Sequence, residues 1–137
     1  MNKTKIKMKN QSEKTLKQAI ENLIKAGTSF DLEQLELIYH NNLKVFMVGR
    51  NGINPIFDKQ AIKNLFQSKR ENGDAHLNNW VEYNHIEANG DFGHVIVTRK
   101  INLTGIEQRL VLSLDLVWEE NRWQVIREVT VNQPESE

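Results

Sequence analysis

At 137 residues the chain is long enough for one hydrophobic core, and having no cysteine it has no disulfide, thiolate nucleophile or zinc-thiolate site. Eighteen basic residues cancel eighteen acidic ones, so no overall field draws the chain to nucleic acid or to an anionic membrane. Residues 1–14 are basic and polar around Ile6 and Met8, without the apolar centre of a secretory signal, and no run has the length of a membrane span. The expectation is a cytoplasmic protein with neither a nucleic-acid nor a membrane partner.

In chain order, residues 1–11 read as a flexible tail, 12–131 as one domain and 132–137 as a polar, disordered tail. Ser12 caps a first helix in which Leu16, Ile20, Leu23 and Ile24 recur at helical spacing, with Gly27 placed as its left-handed terminator. Asp31 caps a short second helix ending near Ile38, with Gln34 as the return partner of a capping box and Phe30 set to staple against Leu35. Leu43 to Val48 is rich in strand formers, and Gly49-Arg50-Asn51-Gly52 is a turn signal, so a small hairpin leads to Ile56 and Phe57. Asp58 caps a third helix with Ala61, Ile62, Leu65 and Phe66 inward, and Asn72-Gly73 ends it.

From Trp80 to Val131 four strands follow, and their turns set the register. Asn89-Gly90 as a type I′ pair puts Ala88 opposite Asp91, Thr104-Gly105 puts Leu103 opposite Ile106, and a Glu120-Asn121 loop puts Glu119 opposite Arg122. Each register keeps the apolar residues together, whereas a one-residue slip would turn a strand over. Trp80 then lies beside Arg99, Leu110 and Val131; Glu82 beside Val97, Leu112 and Val129; Asn84 beside Val95, Leu114 and Arg127. Glu82 becomes a diagonal neighbour of Arg99, close enough for an ion pair under the Trp80 indole, while Arg127 has no acidic partner in its row. Arg99, Arg127, Glu82, Asn84 and Trp80 are thus either an ion pair and a snorkelling arginine, or the few polar groups of an apolar ligand cavity.

On the opposite face His85, His94 and Asp115 form a row ending at Ile126, beside a second row of Tyr83, Ile96, Ser113 and Glu128. The three candidate ligands make a metal site conceivable, but Asp115 accepting a hydrogen bond from His94 is the simpler reading, so no metal or other cofactor is expected. Val111, Val117 and Ile126 are apolar on a face that would otherwise be solvated, which suggests a homodimer through the sheet. His40 and His76 read as surface residues, and Tyr39 as a packing residue in preference to one lining a cavity edge.

The order of long helix, short helix, hairpin, capped helix and meander resembles the nuclear transport factor 2-like superfamily, which includes SnoaL-like cyclases and ketosteroid isomerases. The landmarks are Leu23 to Gly27 followed by Phe30 to Tyr39, the Asp58 to Phe66 helix, Asn89-Gly90-Asp91, and Trp118 to Trp123 as the last hairpin. The resemblance implies an α+β fold in which a cone-shaped, curved, mixed but mainly antiparallel sheet carries three helices from the N-terminal half on its concave face. It also places the isomerase base at Met47, the oxyanion-hole tyrosine near Ile20 and the protonated aspartate at Leu114, and none of these residues has the required chemistry. A binder of a small apolar or anionic molecule is therefore the expectation, with a carboxylate held by Arg127 and Arg99. The alternatives are a non-catalytic dimerisation module and a lyase, isomerase or cyclase using Glu82 as its acid or base.

Overall fold

The computed structural model describes residues 10–49, 52–53, 56–102 and 106–133. The expected tails at 1–11 and 132–137 lie mostly outside the described residues, as do Arg50, Asn51 and the Leu103-Thr104-Gly105 turn. Helix α1 (Glu13–Thr28) opens on Ser12, whose side chain accepts from the Thr15 amide at 3.2 Å while Thr15 Oγ1 accepts from the Ser12 amide at 3.1 Å. Leu16, Ile20, Leu23 and Ile24 are buried along one stripe, as their spacing requires. Gly27 stays inside the helix, and the left-handed residue is Phe30 at φ 57°. Burial of the Phe30 ring, 2% exposed and packed near Phe66 and His76, offsets the roughly 1–2 kcal/mol that this backbone costs a side chain.

Helix α2 (Leu32–Ile38) is capped by Asp31, and α3 (Lys59–Glu71) by Asp58, whose Oδ1 accepts from the Ala61 amide at 2.9 Å. Asn72 and Gly73, at φ 70°, end α3. Glu36 ties the two helices through Lys59 at 2.9 Å and through Lys63, which hold its carboxyl down at about 2.

Strands β1 (Tyr39–Gly49), β2 (Gly52–Ile53), β3 (Phe57–Asp58), β4 (Val81–Asn89), β5 (Phe92–Asn102), β6 (Glu107–Glu119) and β7 (Arg122–Gln133) form one sheet. Its order is β2-β1-β7-β6-β5-β4 with β3 also on β1; β1 runs parallel to β7, all other pairs are antiparallel, and the sheet is not closed. The result is an α+β fold of three helices on a mixed sheet, with β7 running two residues past Val131.

The β5–β6 register agrees with the sequence expectation along its whole length, from Phe92↔Val117 to Asn102↔Glu107. Two strands depart from expectation because each contains a one-residue bulge. On β7, Glu119↔Arg122 through Leu116↔Val125 hold as expected, Ile126 is extra, and Asp115 then faces Arg127 and Leu114 faces Glu128. On β4 the loop is Gly90-Asp91, with Gly90 at φ 61° in the first position, the glycine place of a type II′ hairpin, so Asn89 faces Phe92. Asn84 is extra there, after which Tyr83 faces Val97 and Val81 faces Arg99. Because strand side chains alternate, each bulge exchanges the faces of everything beyond it.

Candidate functional site

Beyond the bulges the helix-covered face presents Val81 and Tyr83 from β4, Val97, Arg99 and Ile101 from β5, Leu110, Leu112 and Leu114 from β6, and Glu128 and Thr130 from β7. Ile20, Leu23, Ile24 and Thr28 of α1 and Ile62, Leu65, Phe66 and Lys69 of α3 cover most of it, leaving a cavity of about 120 Å³. Tyr39, Met47 and Leu77 complete the lining, and Leu65, 38% exposed, marks its rim.

Two ionisable groups stand out in this apolar hollow. Arg99 is 5% exposed; its Nε donates to the Trp80 carbonyl at 2.9 Å and an Nη2 hydrogen to the Asn78 carbonyl at 2.6 Å. Glu128 is 9% exposed and accepts from Thr130 Oγ1 at 3.1 Å. Burial raises the Glu128 carboxyl, opposed by the Thr130 hydrogen bond and the Arg99 charge. Burial likewise presses the Arg99 guanidinium down, opposed by Glu128 and Tyr83. Each senses the other's charge, yet they do not close an ion pair. The Tyr39 phenol is pushed well up by burial and by the nearby Glu128, so it stays neutral and available for hydrogen bonding. Tyr83, between α1 and β4, is pushed up to about 12 by burial first and Glu21 second; its hydroxyl has no hydrogen-bond partner among the described residues.

Of the residues expected in the cavity, Arg99 is there and four are not. Arg127 is exposed on the outer face, opposite Asp115, with its guanidinium 5.7 Å from the Phe46 ring, because the Ile126 bulge turns it over. Glu82 is exposed on the same outer face opposite Thr98, so there is no Glu82–Arg99 ion pair and the Glu82 carboxyl does not face the cavity. Asn84 is the β4 bulge residue and accepts from Thr98 Oγ1 at 2.7 Å. Trp80 gives the cavity only its carbonyl; its indole lies under Lys100 Nζ at 4.5 Å and near Arg109 at 5.9 Å.

The outer histidine row is changed by the hairpin loop: with Gly90-Asp91 as the turn, His85 moves two residues along β5 and stays on the outer face. His94 Nδ1 donates to Asp115 Oδ1 at 2.7 Å, whereas His85 sits opposite Ile96 and contacts Glu87 at 3.1 Å. Among the described residues no group of three or more acidic or histidine side chains is arranged to hold a metal. His40 is not a surface residue: it is 9% exposed on β1, and its Nδ1 accepts from the Asn42 amide at 2.9 Å. That fixes the tautomer in which Nε2 donates to Glu119, also at 2.9 Å. His76 is exposed and meets the Phe30 ring edge-on.

Glu128 and Thr130 are the site residues that sequence reasoning missed, and Tyr39, for which packing was preferred to a place at the cavity edge, lines the cavity as well. A signal for Glu128 was present in the charges. With the β7 register unbroken, Arg127 would point into an apolar layer with no acid in its row; one extra residue near Ile126 supplies Asp115 to Arg127 and sends Glu128 toward Arg99. Met47, Ile20 and Leu114, the positions matched to the isomerase catalytic groups, do line the cavity.

This architecture is the nuclear transport factor 2-like fold. A protein of that fold and of unknown function from Silicibacter pomeroyi superposes with a TM-score of 0.71 at 15% identity, covering 87% of this chain and 93% of its own. A nuclear transport factor 2-like protein from Cytophaga hutchinsonii gives 0.69 at 17%, covering 97% and 100%. A ketosteroid isomerase-like protein from Erwinia carotovora gives 0.66 at 14%, covering 93% and 100%. At these identities the fold is what is shared. No protein-family model and no curated protein matches the sequence. No helix among the described residues is long and apolar enough to cross a membrane.

Proposed function

We propose that the chain binds a small, mainly apolar molecule in the cavity between α1, α3 and the sheet, with Arg99, Glu128, Tyr39 and Thr130 as its polar contacts. The observation that carries this reading is the burial of Arg99 and Glu128 together, without an ion pair, in a hollow otherwise lined by aliphatic side chains. Desolvating such groups costs several kcal/mol each, and packing alone would be served better by two more aliphatic residues. A cavity of this size and composition is near the roughly 150 Å³ apolar hollow that admits benzene. A thermal-shift screen of small acids, amides, ketones and alcohols tests the reading. A ligand at 100 times its Kd stabilises by about 2.7 kcal/mol, and Leu112→Phe, which fills the hollow, removes that response. Equal responses from wild type and Leu112→Phe, or none from any probe, would refute it. Glu128 replaces Glu82 as the carboxyl placed for acid or base chemistry on a bound molecule.

A second reading concerns the outer face. The β7 bulge brings Val129 and Val131, the latter 38% exposed, to that face beside Ser113 and Val111, and Phe92, 67% exposed, lies opposite Val117. Such a strip suits a second copy of the chain. Sedimentation showing only monomer at about 50 μM, where a dimer with a Kd of about 1 μM would predominate, would dispose of it.

A further inference from the structure

The chemistry of the ligand follows from the charges that face the cavity. Besides Glu128, the polar and charged side chains of the cavity lining are Tyr39 from β1, Arg99 from β5, Thr130 from β7, Lys69 from α3 and Thr28 from α1, while β6 contributes leucines and the rest of α1 aliphatic groups. Thr28 is committed, its Oγ1 donating to the Ile24 carbonyl at 2.7 Å. Lys69 lies toward the rim, 3.8 Å from Asp74. Arg99 therefore provides the permanent charge at depth, and two of its five hydrogens hold the carbonyls of Asn78 and Trp80. Its Nη1 hydrogens donate to no group among the described residues. When Glu128 holds a proton, the hollow contains one uncompensated cation and one carboxyl able to donate. A single negative charge on a small apolar body answers both, whereas a dianion leaves excess charge in an apolar space.

Resting on the reading above, we propose that the ligand is a small monocarboxylic acid, bound with its carboxylate between the Arg99 guanidinium and the Glu128 carboxyl. The guanidinium contributes charge-assisted hydrogen bonds. Glu128 and the ligand carboxylate share one proton, as two carboxylates at one site must. If Glu128 is ionised in the free protein, that proton is drawn from solvent on binding; if it is already protonated, none is. Binding is therefore tightest at low pH and weakens as free Glu128 titrates. Burial, which favours the protonated carboxyl, moves that titration upward from the ordinary glutamate range.

The test is calorimetry of the full chain with pentanoate and benzoate, each against its own amide, from pH 5.5 to 8.5, where both acids stay ionised. The expected result is carboxylate affinity that falls by up to tenfold per pH unit above the Glu128 titration, with amide affinity flat. Glu128→Gln keeps a donor of the same shape, so it binds the carboxylates without that pH dependence. Arg99→Met weakens the carboxylates at least tenfold and the amides less than threefold. Amides bound as tightly as acids, or a flat carboxylate profile in wild type, would overturn the ligand class while leaving the cavity reading intact. Absence of saturable binding by all four probes would overturn the ligand class, and the cavity reading falls with it if the ketones and alcohols of the thermal-shift screen also give no response.

Discussion

Gly93 is where α1 seats on the sheet, and it gives a sharp test of the packing that roofs the cavity. A Cβ built there lies 2.7 and 2.8 Å from the two Cδ atoms of Leu16 and 3.3 Å from its Cγ. Leu16 is 0% exposed, so no rotamer moves all three atoms away without displacing a neighbour. Gly93→Ala should therefore cost about 1–3 kcal/mol as overpacking, reduced by the roughly 0.5–1 kcal/mol that alanine gains over glycine within a strand. The net is then about 1 kcal/mol and at most about 2.5, so at about 4 °C per kcal/mol for a chain of this length the midpoint falls by about 5 °C and at most about 10 °C. Leu16→Ala alone should cost about 3–5 kcal/mol. In that background the clashing atoms are gone, so adding Gly93→Ala should be neutral or mildly stabilising, a coupling of at least about 1 kcal/mol. Urea unfolding followed by tryptophan fluorescence on the four variants measures the cycle. If Gly93→Ala costs the same in both backgrounds, or nothing in the wild type, the seat is not built as described.

Glu128→Gln should change stability in a pH-dependent way. The folded state holds the Glu128 proton to higher pH than the unfolded chain does, so wild-type stability is fully present below the unfolded value near 4.5 and is lost as pH rises through the folded one. The slope is at most about 1.4 kcal/mol per pH unit. The variant should gain on wild type across that window in urea titrations at pH 4.5, 6, 7.5 and 9, and a constant difference would contradict it. At the last hairpin, Glu120 and Asn121 both have positive φ, 54° and 61°, the pattern of a type I′ turn. Asn121→Gly should therefore stabilise by about 0.5–1 kcal/mol in thermal melts; destabilisation would mean the side chain has a contact that outweighs its backbone strain.

The helices and the central strand pair were legible because their signals are local. Caps at Ser12, Asp31 and Asp58 combine with an apolar stripe, and β5–β6 alternates without interruption over eleven pairs. The bulges were not legible because apolar residues are available in both phases: on β7 Val125, Ile126, Val129 and Val131 satisfy either alternation, and on β4 Val81 and Tyr83 serve one phase and Trp80, just before it, the other, so hydrophobicity alone does not report the slip. Only the charges discriminate. Asp115 faces Arg127, and Glu128 reaches toward Arg99, in one phase and not in the other. The left-handed Phe30 escaped notice for a related reason, since the compensation for its backbone comes from ring contacts across the fold rather than from a neighbouring residue.

The extra residues in β4 and β7 divide each of those strands into a segment near the hairpin and a segment near the cavity mouth whose inside and outside are assigned independently. Deleting Ile126 would leave a regular strand in which Val125 still faces Leu116, Arg127 still faces Asp115 outside and Glu128 still faces Leu114 in the hollow. A one-residue slip of the strand beyond that joint, with Ile126 taken into the ladder opposite Asp115, is what would carry Arg127 inward and Glu128 outward, so the phase of the strand and no substitution at the pocket decides whether an acid or a base faces the cavity.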